Sequence, residues 1–139
     1  MDPVPFRITL DNAGRRFNRD WIFKNISYSF NSGHSYAVLG PNGSGKSTLL
    51  QLLNGSLSPS SGKIDFSYYN RALDIDSVYK HISLAAPYLE LIEEYSLTEV
   101  IDFHFKFKPY AAGMDKAGLI ALLDMHPHRN KLIKYFSSG

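Results

Sequence analysis

The chain has 139 residues, 44% of them hydrophobic and 14% aromatic, which is enough for one domain with a real apolar core and too apolar for a disordered segment. Its 15 basic and 13 acidic residues are spread along the length and leave a net charge of +2; without a basic run to neutralise a phosphate backbone, charge implies no nucleic-acid partner. The absence of cysteine excludes a disulfide framework and thiolate metal sites, and no 18 apolar residues run together as a bilayer span requires.

Met1-Asp2-Pro3-Val4-Pro5 lacks the basic and apolar regions of a signal peptide, so the expected setting is the cytoplasm, with any membrane role passing through a partner protein. Phe6, Ile8 and Leu10 alternate with Arg7 and Thr9, and Ile26, Tyr28 and Phe30 alternate with small polar residues, which predicts two half-buried strands. After the turn cluster Asn31-Ser32-Gly33, the continuous apolar run Tyr36-Ala37-Val38-Leu39 predicts a strand covered on both faces. Leu49, Leu50, Leu52 and Leu53 predict a helix from Lys46 to Asn54, with Gly55 placed to cap it. Ile64, Phe66 and Tyr68 alternate again, and residues 82–86 read as a further strand closed by Pro87. Ser96-Leu97-Thr98-Glu99 has the spacing of a capping box, opening a helix that runs towards Pro109, and a second helix is expected over 115–124.

The segment Gly40-Pro41-Asn42-Gly43-Ser44-Gly45-Lys46-Ser47-Thr48 joins the apolar run to the first helix and satisfies G-x-x-x-x-G-K-[ST]. Chance alone gives such a match in roughly 1 in 200 chains of this length, and the strand-loop-helix setting lowers that further. Glycines at 40, 43 and 45 let successive backbone N–H groups turn inward as an anion nest. Lys46 adds a point charge, the helix N-terminus favours the same anion, and Ser47 offers a hydroxyl to Mg²⁺. The expected ligand is therefore a purine nucleoside triphosphate with its metal, Mg-ATP.

The string Gly40 to Leu50, followed by Leu53-Asn54-Gly55, Pro59 and Ser61-Gly62-Lys63-Ile64, resembles the Walker A region of ATP-binding cassette (ABC) ATPases. The resemblance implies an α/β P-loop NTPase, here incomplete: N-terminal antiparallel strands, the Walker A strand-loop-helix, and a helical subdomain. It divides the chain into a nucleotide-binding core over 1–95 and a helical subdomain over 96–139. It implies that Phe17 stacks on adenine, although a core or turn aromatic is the plainer reading of that residue. Tyr135-Phe136-Ser137-Ser138-Gly139 looks like the opening of the family's signature motif, so Ser137 and Gly139 would contact the γ-phosphate of ATP held by the opposite protomer of a head-to-tail dimer. For Ser137 the plainer alternative is a polar residue near a terminus. The implied function is the ATPase subunit of a transporter, peripheral to the inner face of the cell membrane, coupling ATP binding and hydrolysis to movement through transmembrane permease subunits.

Three departures qualify that match. The family's glutamine after the strand at 82–86 is missing; the only glutamine is Gln51, leaving Glu90, Glu93 and Glu94 as possible substitutes. The Walker B carboxylates and switch histidine follow the signature motif in the family, so the expectation is an N-terminal fragment that binds nucleotide without efficient turnover and associates through exposed apolar edges. Leu119-Ile120-Ala121-Leu122-Leu123-Asp124 imitates Walker B, but its lack of β-branching suits a helix, and His126-Pro127-His128 reads as a solvated turn before a metal site. Alternative readings are a soluble ABC-type ATPase working on ribosomes or DNA, and a compact P-loop kinase with Asp124 as metal partner.

Overall fold

The computed structural model describes residues 5–86 and 89–136. Internal contacts divide the chain into two units, Met1–Leu84 and Ala85–Gly139.

In the first unit, β1 (Phe6–Phe17) and β2 (Asp20–Asn31) form an antiparallel hairpin, and β3 (Ser61–Tyr68) with the short β4 (Arg71–Ala72) extends the sheet in the order β2-β1-β3-β4. The register sets Ile8 between Phe30 and Phe66, and Leu10 between Tyr28 and Ile64. Because alternate residues share a face, these rows stack into one apolar surface, in which Leu10 and Phe66 are buried. The ladder shifts after Leu10, where the Asn12 N–H donates to the Ser27 hydroxyl at 2.9 Å.

Helix α1 (Lys46–Leu53) packs through Leu52, which is fully buried. Its C-terminus closes as expected: Asn54 N–H donates to the Leu50 carbonyl at 3.0 Å and Gly55 N–H to Leu52 at 3.0 Å. The turn then lies on a 3₁₀ helix, Ile75–Lys80, whose Val78 is buried.

The second unit holds α2 (Leu97–His104) and α3 (Lys116–Leu122), with Ile101 and Ile120 buried. Lys116 reaches from α3 to Asp102 on α2 at 2.8 Å. Every early amide of α2 finds an acceptor. Leu97 and Thr98 donate to the carbonyls of Lys131 and Arg129 at 3.1 and 3.0 Å, and Glu99 donates to the Ser96 hydroxyl at 3.3 Å. The Glu99 carboxylate accepts in return from Ser96 N–H at 2.8 Å, so the capping box predicted at 96–99 is formed.

Three expectations are corrected. Residues 36–39 belong to no sheet among the described residues, whose strand order is β2-β1-β3-β4, and a strand exists only where a neighbour supplies its ladder. Burial on both faces is not observed: Leu39 is 89% exposed, while Val38 is half-buried and Tyr36 packs edge-on against Tyr28 and Phe30. Residues 82–86 likewise form no strand, and Pro87, expected to close it, lies outside the described residues. Helix α2 stops at His104 and does not run on towards Pro109. Phe105 stacks on Tyr110 with ring centroids 3.6 Å apart, a contact that requires the chain to reverse, and the bonds Lys106 N–H to Phe103 and Phe107 N–H to His104 replace the helical ladder. The Walker B imitation at 119–124 is helical, as its composition suggested, with Asp124 just beyond α3 at φ 53°.

Candidate nucleotide-binding site

The loop at 40–48 owes its shape to two left-handed residues, Gly43 at φ 80° and Gly45 at φ 95°. At Gly45 the constraint is double. A Cβ there would fall on Cγ2 of Ile22 and lie 3.3 Å from Cδ1 of Phe23, so β2 packs directly against the loop's backbone. At Gly43 a Cβ would meet nothing, and only the backbone angle demands glycine. The Ser44 N–H donates to the Pro41 carbonyl at 3.2 Å, closing the turn.

Lys46 is the first residue of α1, and its ammonium donates to the carbonyls of Gly40 and Pro41, both at 2.8 Å. Two of its three N–H groups thus hold the charge across the mouth of the loop, and one remains for a ligand. Gly45 caps α1 without a side-chain acceptor, and the first turn carries no acidic residue. Among the described residues neither a side-chain cap nor a first-turn acid offsets the positive end of this helix, unlike that of α2.

An anion fits here on three counts: a loop turned by two left-handed glycines, a tethered ammonium and an uncapped helix N-terminus. Gly40, Pro41, Asn42, Gly43, Ser44, Gly45 and Lys46 make up the loop. Ser47 and Thr48 present hydroxyls in the first turn of α1, with Ser47 exposed. Among the described residues no cluster of three or more His, Cys, Asp or Glu side chains could hold a metal ion. The Ser47 hydroxyl is the group in the loop that could share a divalent cation with bound phosphates.

Phe17 ends β1 opposite Asp20 and is 45% exposed, which sets aside the reading of a core residue. Ser137 and Gly139 lie outside the described residues. His126 accepts from Arg129 at 3.1 Å in the short 3₁₀ helix His126–His128, an arrangement that suits a solvated turn. Gln51 sits on α1, and its carbonyl accepts from Leu57 N–H at 3.1 Å. Sequence reasoning overlooked the supports of the loop, Ile22 and Phe23, and overlooked Arg15 beside Phe17. Arg15 precedes Phe17 by two on the same strand, a signal that was available.

Loop, lysine and helix define a P-loop nucleotide-binding protein. The solved ATP-binding subunit of an ABC transporter has this fold, with a TM-score of 0.75 at 18% identity over 94% of this chain and 55% of that one. So does an ATP-binding cassette solved as a dimer bound to ADP and phosphate, with a TM-score of 0.67 at 23% identity over 94% and 63%. The family model for ABC transporters matches residues 23–139, and the chain belongs to that family. An uncharacterized ABC transporter ATP-binding protein of Bacillus subtilis is 28% identical over 128 residues, and the chain spans 92% of its own length but 58% of that protein's.

Proposed function

We propose that this chain supplies the nucleotide-binding part of an ABC transporter ATPase subunit, holding Mg-ATP through Gly40 to Thr48. The observation that carries this reading is the uncapped N-terminus of α1 behind a tethered Lys46. In this reading Lys46 contacts the β- and γ-phosphates and stabilises the charge that develops on them, Ser47 holds Mg²⁺, and Phe17 stacks on the adenine. Residues 1–95 act as the core and 96–139 as the helical subdomain.

The likeness to a cassette solved as a dimer bound to ADP and phosphate supports a pair of protomers, in this reading head-to-tail, with Ser137 and Gly139 meeting the partner's ATP. Transmembrane permease subunits are the other partners, which places the protein on the inner face of the cell membrane. No described helix is long and apolar enough to cross a membrane. Exposed Leu91 and Phe107 on the second unit offer apolar surface to such a partner.

Turnover needs neutralised phosphates, a positioned metal and an oriented nucleophile. The described residues provide the first and part of the second, so residues 1–139 bind nucleotide without efficient hydrolysis. Lys46→Ala should weaken Mg-ATP binding by calorimetry by at least about tenfold, the loss of one charge-assisted contact. Unchanged affinity would refute the site. Efficient hydrolysis by residues 1–139 that Lys46→Ala abolishes would refute the absence of turnover.

A further inference from the structure

Two aromatic rings stand at the turn of the β1–β2 hairpin, and each has at least one cation against it. Trp21 has the Lys24 ammonium 4.4 Å and the Arg16 guanidinium 5.6 Å from its ring centre. Its ring also lies so close to Gly14 that a Cβ there would come within 2.9 Å of Cζ3. Phe17 is half exposed and has one cation, the guanidinium carbon of Arg15, 4.8 Å from its ring centre. Arg15 is pinned in that pose: its Nη1 donates to the Ser58 carbonyl at 2.8 Å, while its buried Nε has no hydrogen-bond partner.

We propose that Arg15 is the positioning residue of the base site: anchored on Ser58, it covers one face of Phe17, fixes the ring, and leaves the other face as the platform for adenine. The proposal rests on the reading of Phe17 as the base-stacking residue. A phenyl ring at the end of a strand must be ordered when a base stacks on it, and a guanidinium already holding the ring lowers that cost. The ring's quadrupole attracts the cation to one face, the ring as a whole is 45% exposed, and any base offers a π-face to stack on it. Ser58 follows α1 in the chain, so the same arginine ties the base platform to the segment leaving the phosphate-loop helix.

The test compares Mg-ATP with magnesium tripolyphosphate, which keeps the phosphates and lacks the base, on the full chain. The dissociation constant for tripolyphosphate divided by that for Mg-ATP isolates what the base contributes. Arg15→Gln keeps a stem and a donor for Ser58 but removes the cation; it should lower that ratio about two- to fivefold, the worth of an exposed cation–π contact, with tripolyphosphate binding unchanged. Arg15→Lys, which keeps a cation, should recover part of the loss. Phe17→Ala should remove the base's contribution, and Arg15→Gln added to it should cost nothing more. A ratio lowered by Phe17→Ala but not by Arg15→Gln overturns the role of Arg15 and leaves Phe17 in place. A ratio unmoved by Phe17→Ala overturns the reading of Phe17 and the proposal with it. Equal weakening of both ligands by Arg15→Gln, or full additivity in the double variant, shows a merely structural arginine and also overturns it.

Discussion

Gly45→Ala is the substitution in which backbone and packing arguments can be separated. The new Cβ would sit at φ 95°, where an L-residue costs about 1–2 kcal/mol. It would also fall on the Cγ2 methyl of Ile22, an overpacking that costs about 1–3 kcal/mol. The expected loss is therefore roughly 2–5 kcal/mol, a large share of the roughly 5–15 kcal/mol that holds an ordinary domain. Gly43→Ala is the control, because its φ of 80° carries the same backbone penalty but its Cβ would meet nothing within 4 Å. It should lose only about 1–2 kcal/mol. Urea unfolding followed by Trp21, the single tryptophan, reports on the hairpin that supports the loop. Equal losses in the two variants would refute the packing argument. So would the absence of coupling with Ile22→Ala, which removes the obstructing methyl and should make Gly45→Ala cheaper by about 1 kcal/mol or more.

Leu52→Ala, at the fully buried contact of α1, should cost about 2–5 kcal/mol in the same assay, and a loss under about 1 kcal/mol would mean that the site collapses around the missing methyls. Ser96→Ala removes the acceptor for Glu99 N–H and should destabilise α2 by about 1 kcal/mol, read as faster amide exchange in its first turn. The Ser96 backbone N–H, and then its hydroxyl, hold the Glu99 carboxyl below its ordinary value. A depressed carboxyl contributes stability that is present above its unfolded value and lost as pH falls through the folded one. Fraying of α2 should therefore appear below about pH 4.5, followed by amide exchange, and Glu99→Gln should abolish that pH dependence.

Elements whose stabilising contacts are local were legible in the sequence. The alternation of Phe6, Ile8 and Leu10 marks a half-buried strand wherever its partners come from, and Ser96 and Glu99 bond each other at a spacing that can be read directly. Elements that depend on distant partners were not. The apolar run at 36–39 carries a strand's composition, but no described neighbour supplies its ladder. The early end of α2 depends on a stacking between Phe105 and Tyr110 that no helical periodicity announces. The same division runs through the site: the loop and Lys46 are written in consecutive residues, whereas Ile22, which makes Gly45 indispensable, lies on another element.

The two helix N-termini show why the phosphate loop could be read with so little context. Both present amides that helical geometry leaves without partners. In α2 the chain answers them with Ser96 and with the carbonyls of Arg129 and Lys131, and a residue able to accept stands at the cap. In α1 the cap is Gly45, which has no acceptor, and the first turn has no acid to offset the dipole. Lys46 adds a further positive charge at the same end. A helix built only for stability gains from a Ser or Asp cap there, worth about 1 kcal/mol. Forgoing it, and adding a cation that repels the dipole's own positive end, makes physical sense where an external anion completes the turn.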